Sequence, residues 1–502
     1  MPPPAAPWST LVRCARHSPE PADKISFAQP QNHEDVMRVL FSTVSPASHQ
    51  LPPQFGDDQV NCGPDWTDGR DASGRVRSLA TPVGDYDLAA VAARLPSDQQ
   101  PDVVVCLVDA SWRNTPSNLA AFKCPRVLLI GGTHGGQSPL LTTMRYATSE
   151  PFDRTVFVHD RHHAMFFHAA GLRNLFWFPG LTFPHGDAAV RAARLCQRDP
   201  QLAFVGRSGG AHPRRTRLLE TLAATRLPLV QRVLPQRQAL DFYGASLLGF
   251  NASLNGDLNL RVFEILASGA ALITDRLAPE SGLEDLFTDG KELATYADDV
   301  ELALLTTEYL QRPDEARAMG EAGAEWFDTH LGETRRREAF RRLACDGIGP
   351  AEFAFKEREK ARVFFGGDTD RLLESVQVYE GVQELHRTRE TVRVAVDKIA
   401  PDDLIAIYST LPRVDLSRPD DGNHADLAIF TRDRAAAVPP GKADHLWCCD
   451  AGEADFDPLA TRFESAGFRA VAGKAAVFIR AAEPPLPEPE TTLVEVTASS
   501  AA

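Results

Sequence analysis

Two series of short apolar runs constrain the fold of this chain more than any other feature of its sequence. Both series are apolar at nearly every position, as parallel strands are when helices cover both faces of their sheet. Helical patterns lie between the runs, so each series predicts a doubly wound α/β unit. The runs are 37–43, 102–110, 126–132, 155–160 and 174–180 in the first series, and 202–206, 228–234, 246–251 and 270–275 in the second.

The segment FPGLTFPHGD at 178–187 separates the two series. Its prolines and glycines are typical of a linker or hinge. We therefore expect an α/β fold with two Rossmann-like domains, over 35–185 and 186–350, that face each other across a cleft.

The ends of the sequence differ from this central part. Residues 1–34 are rich in proline and are expected to be flexible, and the acidic, proline-rich segment 483–502 is expected to be disordered. Between them, 351–482 is predicted to hold a helix at 374–396 and a smaller α/β unit. Its strand-like runs are 403–409, 425–432, 444–450 and 474–480.

Bulk composition excludes several functional classes. A net charge of −15 argues against a nucleic-acid-binding surface, which needs a basic face. The eight cysteines form no paired motif, which favours a reducing, cytoplasmic location. No run of about 18 apolar residues occurs, so no membrane span is expected. Self-association into a homo-oligomer stays open.

A stripe of polar residues crosses the apolar segment 251–275. Asp257, Arg261, Glu264 and Ser268 are spaced to share one face of a helix. One interpretation is an ion pair between Arg261 and Glu264. The other places Arg261 near a diphosphate at the helix start and Glu264 on two ribose hydroxyls. We favour the ligand interpretation, because a buried ion pair without a use seldom stabilises a fold.

The turn after the run 202–206 resembles a phosphate-binding loop. Gly206, Arg207 and Gly209 follow a predicted strand, and the small residues would let backbone N–H groups approach a phosphate. Arg207, Arg214 and Arg215 would supply cations nearby. A plain turn with solvated arginines is the alternative. No GxGxxG fingerprint occurs here, which disfavours a nicotinamide or flavin cofactor.

Polar groups also follow two strands of the first series. His134 lies in the glycine-rich stretch LIGGTHGGQS, beyond a strand end where α/β proteins bind ligands. We expect it to act as an acid, base or hydrogen-bond donor, with Asp160 as a second candidate catalytic residue. His159 and His163 invite a metal interpretation, but no cysteine or acidic partner completes a ligand set. We expect instead that Asp160 caps a helix and that these histidines line the surface or the cleft.

The region 200–345 resembles GT-B glycosyltransferases, and most closely the spore-maturation, CgeB-type group. The similarity lies in FNASLNGDLNLRVFEILASGAALITD, the following GLEDLFTDGKELATYADD and the later helix EWFDTHLGETRRREAF. The matching positions are Asn251, Ser253, Arg261, Glu264, Gly269, Asp275, Phe287, Gly290, Lys291, Glu292, Tyr296, Asp298 and Arg336. The first domain, 35–200, matches in strand order alone.

This resemblance implies a nucleotide-sugar donor held mainly by the second domain. It implies that Asn251 and Glu264 belong to the donor site, with Glu264 on the ribose, and that Arg207 and Arg261 lie near the diphosphate. No metal cofactor is implied, because arginines and a helix N-terminus would neutralise the leaving group. Broader retaining GT-B families carry a second glutamate where this chain has Gly256, and Asp257 is a possible substitute.

The function expected from these features is that of a hexosyl-type glycosyltransferase. It would move a sugar from a nucleotide diphosphate to a hydroxyl on a glycan, a protein or a small molecule. A nucleotide-sugar epimerase of the same fold would turn over the donor without an acceptor. A non-catalytic scaffold would bind the nucleotide without any turnover.

Overall fold

The computed structural model describes residues 36–354, apart from 47–49, 110, 134–138, 209–212 and 255, and short stretches between 376 and 480. The segments 1–34 and 483–502, for which disorder was predicted, lie outside the described residues. The predicted strand 403–409 does too.

The first domain is built on a sheet of eight strands in the order β10-β9-β8-β6-β1-β2-β4-β3. Every neighbouring pair is parallel except β3 and β4, and a separate parallel pair, β5 and β7, lies beside this sheet. The strands are β1 (Arg38–Ser42), β2 (Asp58–Gly63), β3 (Gly69–Arg70), β4 (Val76–Ala80), β5 (Gly84–Asp87), β6 (Val103–Asp109), β7 (Asn114–Ser117), β8 (Arg126–Gly132), β9 (Arg154–Phe157) and β10 (Leu175–Trp177). Helices α1 (Leu88–Ala92), α2 (Pro139–Ser149) and α3 (Ala164–Ala169) connect them.

The second domain holds a five-stranded, fully parallel sheet in the order β12-β11-β13-β14-β15. Its strands are β11 (Asp199–Val205), β12 (Leu229–Arg232), β13 (Ser246–Phe250), β14 (Ala271–Asp275) and β15 (Ala294–Tyr296). Helices α4 (Asp187–Arg194), α5 (Pro213–Ala224), α6 (Gln236–Gly244), α7 (Leu260–Ser268), α8 (Leu283–Leu286), α9 (Asp299–Gln311) and α10 (Pro313–Leu331) surround it. With these two sheets, the prediction of two Rossmann-like domains is confirmed.

Helix α7 packs closely on the sheet of the second domain. Gly249 in β13 makes this possible, because a Cβ at that position would lie 2.5 Å from the side chain of Ile265. The buried face of α7 includes Val262, Phe263 and Leu266, all at most 1% exposed. Burying side chains of this size contributes roughly 1.5–3 kcal/mol each, which fixes the position of the polar residues on the same helix.

The third unit contains a six-stranded sheet in the order β17-β16-β18-β19-β21-β20. The first four strands are parallel, and β21 runs antiparallel to both of its neighbours. The elements are β16 (Val392–Val396), β17 (Val414–Ser417), β18 (Ala425–Phe430), β19 (Ala443–Cys448), α12 (Glu453–Glu464), β20 (Phe468–Ala470) and β21 (Val477–Arg480). The predicted α/β unit is therefore present, but 392–396 is a strand and not the end of a helix.

The chain returns to the first domain through helix α11 (Glu333–Asp346). Phe340 on this helix packs against Phe55, with ring centroids 4.8 Å apart, and Phe353 packs against Phe178 at 5.3 Å. Residues 333–353, predicted as part of the second domain up to 350, therefore contribute to the core of the first.

The segment 178–187 joins the domains as predicted, yet its side chains are deeply buried. Phe178, Leu181 and Phe183 are at most 1% exposed, and Phe183 packs on Phe327 of α10 at 4.8 Å. A domain-closing hinge at this segment remains a prediction. Within the described residues, no helix combines the length and the apolar composition needed to cross a bilayer.

Candidate functional site

Helix α7 begins at the edge of the second sheet where the strands end. Asn259 caps it by accepting a hydrogen bond from the Arg261 backbone N–H at 3.1 Å, and Gly269 ends it in the left-handed conformation. Asp257 lies before the helix, where its carboxylate accepts from the Leu254 N–H at 2.6 Å. Ser268 bonds the carbonyl of Ile265 within the last turn. Asp257 therefore lies outside the helix, contrary to the predicted four-residue stripe, whereas Arg261, Glu264 and Ser268 all lie on α7 at the predicted spacing.

Arg261 points back toward the end of strand β11. Its Nε donates to the Val205 carbonyl at 3.0 Å and its Nη1 to Asn251 Oδ1 at 3.0 Å. Its guanidinium lies 4.8 Å from the centre of the Phe204 ring, a cation–π distance. Among the described residues no carboxylate forms an ion pair with it, so the predicted Arg261–Glu264 pair is absent there.

Glu264 lies one turn further along α7 and is partly buried. Its Oε1 accepts from the Gln236 side-chain amide at 3.1 Å. Burial raises the pKa of its carboxyl above the usual value, against the effects of the Gln236 hydrogen bond and the charge of Arg261. A carboxylate held in this way can still accept hydrogen bonds from a ligand hydroxyl.

Arg215, one of the cations that the sequence places near the phosphate loop, lies beside Arg261 at this site. Its guanidinium lies 5.7 Å from the centre of the same Phe204 ring, and its Nη1 donates to the Arg207 carbonyl at 3.4 Å. Its Nε is buried and has no hydrogen-bond partner in the part of the chain that the structure describes. Burial, followed by the charge of Arg261, lowers its pKa to about 10. Two guanidinium groups next to each other, with no carboxylate bonded to either among the described residues, form an environment suited to an anion.

A buried ion pair supports the loop beneath these cations. Arg214 contacts Asp275 at 2.8 Å, with both side chains almost fully buried. Asp275 also accepts from the Ser253 N–H at 2.9 Å, which fixes the loop that follows β13. Asn251 donates to Thr274 at 3.0 Å, so its oxygen faces Arg261. Asn251 thus orients Arg261, which adds a supporting role to the one predicted.

Gly206 brings the end of β11 close to the arginines. A Cβ at this position would lie 2.9 Å from Arg261 Nη2, and the residue has a φ of +157°, which favours glycine. Arg207 follows it with an exposed side chain. Gly209 lies outside the described residues. The described part of the predicted phosphate loop therefore adjoins both Arg215 and Arg261.

Asp160 of the first domain contacts Thr133, the residue that precedes His134 in the sequence. The Asp160 carboxylate accepts from the Thr133 N–H and hydroxyl, both at 2.9 Å, and is 1% exposed. It does not cap the helix, contrary to the prediction, because its side chain is engaged with Thr133. His134 itself lies outside the described residues, and the catalytic roles of both residues remain predictions.

His163, which was expected to line the surface or the cleft, is buried, as is its neighbour His162. With Asp160 they offer three ligand atoms within 4.8 Å of one another, a spacing that a metal ion could use. Asp160 and His163 already bond the Thr133 hydroxyl, and His163 Nε2 lies 3.0 Å from the Tyr379 hydroxyl. A metal ion would have to replace these hydrogen bonds.

His159 joins the strand ends of the two domains. Its carbonyl accepts from the Leu258 N–H at 3.2 Å, and its Nδ1 lies 3.3 Å from the Leu258 carbonyl. Leu258 directly precedes the cap of α7, so the loop with Asp160 and the helix with Glu264 lie at the same junction. The predicted cleft between the domains is therefore consistent with these contacts.

Comparison with known proteins shows a similarity to one family. Residues 215–340 match a family model described as glycosyl transferase-like. The glycosyltransferase predicted from the sequence is confirmed at this level, over the segment that holds Arg215, Arg261 and Glu264. No curated protein matches the chain significantly.

Several solved structures share the general shape. HepE from Anabaena, solved in complex with UDP and glucose, is 11% identical over 61% of this chain and 99% of its own, with a TM-score of 0.41. Sucrose-phosphate synthase from Thermosynechococcus elongatus is 12% identical over 61% and 98%, with a TM-score of 0.41. A glycosyltransferase from Rickettsia africae is 9% identical over 62% and 98%, with a TM-score of 0.45. Similarities with TM-scores below 0.5 carry no weight in assigning residues or substrates.

Proposed function

We propose that this protein transfers a hexose from a nucleoside-diphosphate sugar to a hydroxyl acceptor. The observation that carries the proposal is the pair Arg215 and Arg261, which share the Phe204 ring without a carboxylate partner among the described residues. A diphosphate supplies the missing negative charge. Glu264 lies one helical turn away, at a distance suited to the ribose of the same nucleotide.

The chemistry requires a stabilised leaving group. The acceptor oxygen forms a bond to the anomeric carbon of the sugar while the bond from that carbon to the diphosphate oxygen breaks. The diphosphate leaves with the electron pair, and the acceptor hydroxyl loses its proton. Arg215, Arg261 and the N-terminus of α7 face the developing charge, so we propose that transfer proceeds without a bound metal. The CgeB-type group is the subgroup we propose for this chain.

The first domain supplies the acceptor side in this proposal. Asp160 fixes Thr133, the residue that precedes His134 in the sequence. His134 would accept the acceptor proton or bond the transferred sugar. The acceptor itself is a hydroxyl of a glycan, a protein or a small molecule.

Calorimetry with UDP, GDP and ADP tests the donor site. We expect one nucleoside diphosphate to bind and Arg215→Ala to weaken its binding roughly 10–100-fold, the loss of about 1.5–3 kcal/mol typical of a charged hydrogen bond. Arg191→Ala is the matched control, because Arg191 is an exposed arginine of α4. If no nucleotide binds, or if both variants bind equally well, the proposal is wrong. Turnover of nucleotide-sugar without any acceptor would favour the epimerase.

A further inference from the structure

The side chain of Gln236 connects the two domains at the donor site. Its Oε1 accepts from the Leu51 backbone N–H at 3.0 Å, and its Nε2 donates to Glu264 Oε1 at 3.1 Å. Leu51 belongs to the stretch between β1 and β2 of the first domain, and Gln236 is the first residue of α6. Because the backbone N–H of Leu51 can only donate, the amide oxygen of Gln236 must face it. The NH2 group of Gln236 is then directed at Glu264.

We propose that Gln236 is a positioning residue for the nucleotide: it holds Glu264 in the orientation that receives the ribose and ties that orientation to the first domain. This inference rests on the proposed function. Among the described residues, Gln236 is the side chain that hydrogen-bonds Glu264, and it uses one of the two carboxylate oxygens. The other oxygen remains available for a ribose hydroxyl. Loss of Gln236 would leave Glu264 to rotate about its side-chain bonds.

The groups around Glu264 determine how readily its carboxyl ionises, so the effect of Gln236 can be measured as a pH dependence. Arg261 lies one turn earlier on α7, and burial raises the pKa of Tyr243 on α6 to about 12, so this phenol is neutral. Toward the far end of α7, Arg194 of α4 bonds the Ala267 carbonyl and pairs with Asp328 of α10 at 2.6 Å. The Gln236 hydrogen bond and Arg261 are therefore the two influences that favour the ionised form of Glu264.

UDP binding measured by calorimetry between pH 5 and pH 8 tests the proposal, with GDP and ADP as alternative probes. We expect Gln236→Ala to weaken binding about 5-fold at pH 7, the effect of one typical hydrogen bond. The acid limb of its affinity profile should move to higher pH, because Glu264 loses a hydrogen bond that favours its charged form. Gln238→Ala, an exposed glutamine of the same helix, should match the wild type.

Leu51 gives a second test that leaves Gln236 in place. Leu51→Pro removes the N–H that orients the amide, whereas Leu51→Ala keeps it, so only the proline variant should weaken nucleotide binding. An unchanged affinity and pH profile in Gln236→Ala would overturn the positioning role. Tighter binding would overturn it too, because Gln236 would then occupy the place of the ribose. If the wild type binds none of the three nucleotides, the proposed function itself falls.

Discussion

Asp187 and Glu333 cap each other's helices across 146 positions of sequence. The Asp187 carboxylate accepts from the Glu333 N–H at 2.8 Å, and the Glu333 carboxylate accepts from the Asp187 N–H at 3.2 Å. Asp187 begins α4, where the chain enters the second domain, and Glu333 begins α11, where it leaves. The two segments that cross between the domains are therefore hydrogen-bonded to each other at this point. Any closure of the predicted cleft must involve this contact.

A double-mutant cycle measures this mutual capping. Asp187→Ala and Glu333→Ala should each lower the free energy of unfolding by about 1 kcal/mol, as lost helix caps do. The double variant should lose less than the sum, because the two bonds depend on the same approach of the helices. Urea unfolding of the four proteins gives the coupling. The exposed pair Glu338 and Arg341 is the control, with an expected effect below about 0.5 kcal/mol.

Glu264→Gln should separate function from stability. Nucleotide binding should weaken by roughly 1.5–3 kcal/mol, because a neutral amide replaces a charged acceptor. Stability at pH 7 should stay equal or rise. A carboxyl whose pKa is raised in the folded state contributes stability below its unfolded pKa, and that contribution is lost as pH rises through the folded value. Thermal unfolding with and without UDP reports both effects, and unchanged UDP affinity would assign Glu264 a purely structural role.

His185 predicts a specific sensitivity to acid. Burial lowers its pKa from 6.5 to about 4, with Asp241 opposing that shift and Arg336 adding to it. The folded protein therefore prefers neutral His185, and the associated stability is complete above pH 6.5 and is lost as pH falls toward 4. His185→Gln should reduce the stability difference between pH 6.5 and pH 4.5 by about 1–2 kcal/mol, after allowance for partial solvent contact. Urea unfolding of both proteins at the two pH values checks this. The same loss of unfolding free energy between pH 6.5 and pH 4.5 in the variant and the wild type would contradict it.

A chain that ends at residue 350 should be much less stable than one that ends at residue 390. Ending the chain at 350 removes Phe353, which is 2% exposed, and Tyr379, which is fully buried beside Phe166. Losing a buried aromatic side chain costs about 3–5 kcal/mol, so this form should unfold or aggregate. Ending it at 390 keeps both residues and should preserve nucleotide binding. Circular dichroism and UDP calorimetry compare the two forms, and a stable protein ending at 350 would refute the docking role of these aromatics.

The sequence predicts the buried strands well and the polar strands poorly. The run 126–132 is apolar and matches β8 residue for residue. Strand β2 was missed because Asp58, Gln59 and Asn61 interrupt its apolar pattern. These polar groups have partners outside the strand. Arg75 pairs with Asp58, and the Phe55 N–H donates to the Gln59 side chain. Residues 392–396 alternate between valine and other residues, a period of two that indicates a strand.

The candidate site was predictable where neighbouring residues define it. Arg261, Glu264 and Gly206 follow from a helix, its cap and the end of a strand, which are local patterns. The sequence indicates Arg215 as a cation near the phosphate loop, but not that it shares the Phe204 ring with Arg261. Gln236 was not predicted, because its contact with Leu51 joins residues 185 positions apart. Contacts between residues that are distant in sequence depend on how the elements and domains pack, and no local sequence pattern predicts them.

The return of α11 to the first domain sets the order in which the protein can mature on the ribosome. The core beneath Phe55 and Trp177 lacks Phe340 and Phe353 until more than 350 residues have been synthesised. The second domain, whose strands all lie between 199 and 296, can complete its sheet earlier. Translation proceeds from the N-terminus, yet the first domain is completed after the second. Until then, the apolar surface of the first domain stays exposed on the nascent chain.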